Sequence, residues 1–370
     1  MENNKELEEY LSNGVEKIVK GIIKASLINP KASIFMTKYA ISSKRAREKR
    51  KMAELTGEHI PPFLIASITD KCNLHCQGCY ARANHSCSDS CSANGADGLL
   101  TGEDWGNIFS QAKELGIEFI LLAGGEPFVR KDVLVQAGKQ SNILFPVFTN
   151  GTMIQGDYLE LLEQNRNLMP VISMEGNQAT TDARRGAGIY KKLEETMKQL
   201  HKSGILFGNS VTVTKQNMLE VLSDEFVSHL KNAGAKAIVY VEYVPVDEKT
   251  QHLAPDDLTR TEMLRRIDVL RKEVEEMIFI AFPGDEKTSG GCLAAGRGFF
   301  HINAHGGAEP CPFSPYSDTN VMNTSLKEAL QSPLFRKLQS GGSLTEQHIG
   351  GCVLFEQRAQ VEAMIKEQAI

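Results

Sequence analysis

The chain has 370 residues, 41% of them hydrophobic, with a formal net charge of −5 and a pI near 6.0. That length suits one large α/β domain with a smaller companion, and the acidic balance argues against a dedicated nucleic-acid binder. No run of about 18 apolar residues is present to span a membrane, and the opening Met1-Glu2-Asn3-Asn4-Lys5-Glu6 lacks the apolar stretch of a signal peptide. Eight cysteines without a secretory signal point to a reducing cytoplasm and to thiols used for metal ligation rather than disulfides.

Residues 1–60 read as a helical extension. Val15–Ile28 mixes apolar residues with Lys17, Lys20 and Lys24, and Lys44–Lys51 carries six basic residues in eight. A basic amphipathic segment can touch anionic lipid or an acidic partner; a helical cap packed on the domain with a solvated basic face is favoured over that peripheral contact. Apolar strand candidates follow at Pro62–Thr69, Ile117–Ala123, Ile143–Thr149, Met169–Met174, Leu206–Val213 and Lys236–Val244. Helical stretches alternate with them at Gly102–Leu115, Lys131–Ser141, Asp157–Asn165, Tyr190–Ser203, Met218–Ala233 and Pro255–Met277. Six such βα units over residues 61–278 predict a parallel sheet with right-handed crossovers. Six are too few to close an eight-stranded barrel, so the expected fold class is α/β, a partial (β/α)6 TIM-like barrel. Its chemistry belongs on the loops after the strand C-termini.

The most telling motif lies on the first of these loops. Cys72, Cys76 and Cys79 form a Cys-x3-Cys-x2-Cys run, a spacing expected by chance in on the order of one chain in three hundred of this composition. Three thiolates can hold three irons of a [4Fe–4S] cube and leave the fourth iron open to a small molecule. A zinc loop and scattered core thiols are the alternatives. After the second strand comes Gly124-Gly125-Glu126-Pro127, where glycines allow close backbone approach and a carboxylate complements an ammonium, or which is a plain turn.

Together these motifs resemble the radical S-adenosylmethionine (SAM) superfamily, and the likeness runs along most of the chain. It implies that Cys72, Cys76 and Cys79 hold the catalytic cluster, whose open iron is chelated by SAM. Gly124, Gly125, Glu126 and Pro127 resemble the family's GGEP motif at the methionine amino group. Thr149-Asn150 resembles a segment ending the family's third strand. Ser173 with Glu175 resembles one near the SAM carboxylate and ribose, followed by Arg185 in an Arg-Gly pair. Asn209 and Ser210 lie on the strand that often contacts SAM in the family. The aromatic that precedes the third cysteine in relatives is Gly78 here, which would leave adenine to Tyr80 or to backbone. The implied reaction is reductive cleavage of SAM to a 5′-deoxyadenosyl radical that abstracts hydrogen from a substrate, with a small electron donor such as ferredoxin or flavodoxin.

Residues 279–370 hold a second cysteine group. Cys292, Cys311 in a Pro-Cys pair, and the later Cys352 resemble a shortened auxiliary-cluster domain of the SPASM/twitch type. They imply a second [4Fe–4S] cluster, against the alternative of three unrelated buried thiols. Gly298–Asn303 followed by Gly306-Gly307 reads as a β-hairpin bringing Cys292 and Cys311 together, with Cys352 returning after a helix at Leu326–Gln339. Cys87 and Cys91 lie in a Ser/Asn/Gly-rich loop and read as bland thiols, as ligands to a further metal, or as thiols acting on substrate. The substrate is not named by the sequence. A peptide is one reading, cofactor or lipid biosynthesis another, and a non-catalytic electron-transfer or scaffold protein a third. The GGEP-like site argues against the last, since an electron carrier has no use for an ammonium site. The proton-transfer dyad of a hydrolase is not apparent.

Overall fold

The computed structural model describes residues 30–87, 98–285, 291–340 and 352–366; Val15–Ile28 and Cys91 lie outside them. Strands β1 (Phe63–Ser67), β2 (Phe119–Ala123), β3 (Phe145–Thr149), β4 (Leu168–Ser173), β5 (Gly208–Val213) and β6 (Ala237–Glu242) coincide with the six apolar segments of the sequence to within a residue or two at each end. They pair in parallel and in chain order. Between them run helices such as Gly102–Leu115, Lys131–Lys139, Ile189–Lys202 and Asp257–Glu273. The first of these starts at a capping box, with Asp104 N donating to Thr101 Oγ1 at 3.1 Å and Thr101 N to Asp104 Oδ2 at 2.8 Å.

Two more parallel strands flank the expected six. β7 (Ile278–Phe282) pairs with β6, and β8 (Phe299–Ile302) pairs with β1 on the other side. β9 (Ala308–Glu309) returns antiparallel to β8, the hairpin read from the sequence. β7 is five apolar residues close behind a long helix, and so short a run carries no periodicity that separates it from a helix tail. A helix, Gln178–Arg185, also follows β4, where the sequence reading placed only a motif. The stretch Leu326–Gln339 is two helices, Leu326–Ala329 and Pro333–Ser340, parted just before Pro333.

The sheet curls, and its two faces differ. Along β2 and β7 residues alternate between buried and half-buried. The fully buried set packs on the helices, as Leu64 and Ala66 do in the cluster that contains Trp105 and Phe109. The other set faces inward. Phe119, Phe148, Val171, Val239 and Ile278, from β2, β3, β4, β6 and β7, all gather around Met36 and Tyr39 of one helix, Pro30–Leu55. Residues from so many strands can meet one helix only inside the curl. Phe63 of β1 stacks on Phe299 of β8 at 4.9 Å, and Phe299 lies 5.9 Å from Phe282 of β7, so the two edges of the curl approach each other. The half-buried inner residues line a lumen.

The helix Pro30–Leu55 is thus a plug in the N-terminal end of the barrel. Arg50 Nη1 donates to Gly116 O at 2.6 Å and Ser42 Oγ to Glu118 Oε1 at 2.6 Å. One of the basic residues of Lys44–Lys51 is therefore spent on packing, as a cap requires. None of the helices among the described residues is long and apolar enough to cross a membrane. Tyr39 is 1% exposed whereas Ile41 on the same helix is 54% exposed. Tyr39→Ala should destabilise the chain by about 3 kcal/mol and Ile41→Ala by about 0.5 kcal/mol or less, measured as shifts in urea midpoint.

Candidate active site at the barrel mouth

The cysteine loop leaves β1 and lies across the C-terminal end of β2. Gly125 N donates to Thr69 O and Glu126 N to Lys71 O, both at 2.8 Å. The two glycines are what permits this. A Cβ at Gly124 would stand 2.3 Å from Thr69 O, and one at Gly125 2.2 Å from Lys71 O; Gly124 also has a φ of +121°. Glu126 is buried and begins the 3₁₀ turn Pro127–Val129, accepting from Phe128 N at 3.0 Å. It also accepts from Thr149 Oγ1 and Asn150 N, each at 2.7 Å. The carboxylate therefore ties the end of β2 to the end of β3, in addition to whatever it offers a ligand. Burial raises its pKa despite the donations from Thr149, Asn150 and Phe128.

The ends of β3 and β4 reach the cysteines from the other side. Asn150 Nδ2 donates to Asn73 Oδ1 at 2.8 Å and points at Cys72 Sγ at 4.0 Å. Arg185 Nη1 points at Cys76 Sγ at 3.9 Å. Its guanidinium also pairs with Glu175 Oε1, as does Arg184 at 2.7 Å. Burial would raise the pKa of Glu175, but the charges of Arg184 and Arg185 outweigh it and hold the carboxyl below its usual range. Arg184 anchors the cysteine loop as well: Gln77 N donates to Arg184 O at 2.8 Å and Arg184 Nε to Gln77 O at 3.1 Å. The sequence pointed to Arg185 but not to Arg184, because the helix that carries both was not recognised.

Burial shifts the thiols of the loop. Burial pushes the Cys72 thiol up to about 11, with the charges of Glu126, Cys76 and Cys79 acting in the same sense. Burial also raises the Cys76 thiol against the opposing pull of Arg185 and Arg184. Among the described residues no three His, Cys, Asp or Glu side chains are arranged to hold a single metal ion. In a [4Fe–4S] cube each thiolate binds a different iron. N–H donors aimed at two of the sulfurs are groups that tune such a centre.

Ser173 and Ser210 are paired on the neighbouring strands β4 and β5 and stand side by side, Oγ to Oγ at 3.0 Å. Asn209 departs from the sequence reading. It is fully buried on the helix side of β5, with Nδ2 donating to Ile172 O at 3.3 Å and near Met197 Sδ at 3.5 Å. Side chains alternate along a strand, so Ser210 and its neighbour cannot both face the lumen. The Tyr80 ring packs against Phe313 at 4.8 Å, near both Cys79 and Cys311. The space beside Gly78 is held by Tyr243, after β6. Gly78 has φ +67°, and a Cβ there would lie 2.6 Å from Tyr243 Oη. Nothing in the sequence near Tyr243 marks that contact.

In the C-terminal segment Ala295 N donates to Pro310 O at 3.1 Å. The Cys311 thiol is raised well above its ordinary value by burial, then by a hydrogen bond with Cys352 and by the charges of Cys352 and Cys292. Cys352 is thus a hydrogen-bond partner of Cys311, and Cys292 is close enough for its charge to act. Cys87 is buried, and burial together with the charge of Cys72 pushes it up to about 12, with Cys79 adding to the rise.

The close approach of Gly125 gives a direct test. Gly125→Ala should displace the cysteine loop and prevent iron loading at Cys72, Cys76 and Cys79. Gly106→Ala, whose Cβ would meet only the Gln136 side chain, at 3.4 Å or more, should load normally. Iron and sulfide analysis after anaerobic reconstitution checks both.

Comparison with known proteins agrees with this geometry. The AdoMet-dependent heme synthase of Methanosarcina barkeri is 25% identical over 307 residues, 75% of this chain and 85% of that protein. The sporulation killing factor maturation protein SkfB of Bacillus subtilis is 25% identical over 287 residues, 73% of this chain; the match spans 65% of SkfB. Among solved structures, Streptococcus suis SuiB bound to S-adenosylmethionine superposes with a TM-score of 0.64 at 18% identity, covering 80% of this chain and 72% of SuiB, a likeness of fold. The model of the radical SAM superfamily matches residues 66–234, the stretch that carries the cysteine loop, Gly124–Pro127, Asn150 and Arg185, so that stretch is similar to the radical SAM superfamily.

Proposed function

We propose that this enzyme cleaves SAM reductively and abstracts a hydrogen atom from a peptide substrate held in the lumen. The observation that carries the reading is the cysteine loop fixed against Gly124–Glu126, with Asn150 and Arg185 aimed at two of its sulfurs. When bound, a [4Fe–4S] cluster on Cys72, Cys76 and Cys79 supplies the one-electron chemistry that turns SAM into methionine and a 5′-deoxyadenosyl radical. The protein supplies the rest. Asn150 and Arg185 offset negative charge at the sulfurs, the glycine edge seats the cysteine loop, and Ser173 and Ser210 present hydroxyls to the lumen. Cys292, Cys311 and Cys352 hold an auxiliary cluster, and a small ferredoxin- or flavodoxin-like protein donates the electron. A peptide is supported by the maturation protein SkfB among the relatives and by the fold shared with SuiB, which has been solved bound to its precursor peptide SuiA.

A tetrapyrrole is the second reading. It is favoured by the heme synthase match, which spans 85% of that relative against 65% of SkfB.

Anaerobic, reconstituted protein should release 5′-deoxyadenosine with dithionite, and replacing Cys72, Cys76 and Cys79 together by Ala should abolish release. Iron should fall from about eight to about four per chain in that variant if both sites fill with cubes. Persistent SAM cleavage would refute the catalytic assignment, and loss of all iron would refute the auxiliary one. Spectral titration with an iron tetrapyrrole distinguishes the second substrate reading from the first.

A further inference from the structure

Three residues scattered through the sequence meet on the inner face of the barrel. Ser67 ends β1, His301 lies on β8 and Glu309 on β9. His301 Nδ1 is 2.7 Å from Glu309 Oε2, and His301 Nε2 is 2.7 Å from Ser67 Oγ. Glu309 Oε1 accepts from Asn303 Nδ2 at 2.5 Å. The register places the three on one face. Phe63 and Phe299 are paired and stacked inside the curl, so Ser67 and His301, an even number of positions along, face inward too. His301 and Glu309 are directly opposed across the hairpin.

The proton positions follow from the network. A carboxylate only accepts, so Nδ1 carries the hydrogen; Nε2 is then an acceptor, and the Ser67 hydroxyl donates to it. Burial gives the network a direction. His301 and Glu309 are 4% and 5% exposed, whereas Ser67 is half-buried at the lumen. Ser67 is also level with Ala123, its partner on β2, directly before Gly124. The end of the network that a substrate can reach is therefore a hydroxyl backed by an oriented imidazole, at the height of the SAM site.

We propose that Ser67, His301 and Glu309 form a proton-transfer relay serving the substrate in the lumen. Ser67 is the group that touches it, and His301 and Glu309 are positioning residues behind Ser67. A substrate N–H, O–H or S–H gives its proton to Ser67 Oγ as the Ser67 proton passes to His301 Nε2. This leaves a substrate anion and an imidazolium balanced by the Glu309 carboxylate.

The relay presupposes that substrate enters the lumen, as proposed above. Ser67 activation is nevertheless read without SAM or reductant, so the two can fail separately. The cluster-loaded protein is treated with phenylmethylsulfonyl fluoride and modified serines are located by peptide mass spectrometry. Ser67 should be sulfonylated faster than Ser173 and Ser210, which share the lumen and control for access. His301→Gln should slow Ser67 labelling by about a hundredfold or more, the worth of a general base. Glu309→Gln, which offers Nδ1 a donor and imposes the wrong tautomer, should slow it as well. Iron content and SAM affinity should stay unchanged in both. Ser67 labelled no faster than Ser173 or Ser210 in the unsubstituted protein, or equally fast in folded His301→Gln, would show that the network is only a staple between β1, β8 and β9.

Discussion

Two missing side chains hold this site together. With hydrogen in place of Cβ at Gly124 and Gly125, the loop that carries Cys72, Cys76 and Cys79 lies directly on the end of β2 and shares its hydrogen-bonding edge. Everything else at the mouth builds on that contact. Glu126 follows the glycines and, being fixed, can bind both Thr149 and Asn150. Asn150, so fixed, can direct its amide at Cys72. An alanine at either glycine would insert a methyl group into a backbone contact, where no rotamer change can make room.

The opposite flank of the loop is held by charge. Glu175 sits at 1% exposure with two arginines beside it. A carboxylate in so dry a place would be costly alone. Here the guanidinium of Arg185 lies between the carboxylate and the Cys76 sulfur, while Arg184 exchanges hydrogen bonds with Gln77. Helix Gln178–Arg185 is thereby latched to the cysteine loop through its last residues. An event at the end of β4 that disturbed Glu175 would reach the cysteines through one side chain.

The sequence revealed the repeating units, since each strand is an apolar run bounded by turn residues and each helix shows its own period. It also revealed the positions of the cysteines and of Gly124–Pro127. The physical task of those residues was less visible: the glycines serve the cysteine loop, and Glu126 is a cap and a tie as much as a ligand group. Which of Asn209 and Ser210 faces inward was hidden, because a strand covered on both faces shows no polar alternation. β7 was too short to declare itself. Tyr243 beside Gly78, and Ser67 with His301 and Glu309, depend on closure of the curl. Ser67 and His301 are 234 residues apart, and no local pattern records such a meeting.

The helix that plugs the N-terminal end of the barrel bears on the order of events. With Met36 and Tyr39 filling the floor, the lumen is a blind vessel served from the end where the cysteine loop and Gly124–Glu126 lie. Anything that goes deep must pass the place proposed for SAM. A large substrate bound first would shut SAM out, and SAM bound first would form part of the wall against which the substrate settles. A stopped floor also denies solvent a second path to a reactive carbon centre.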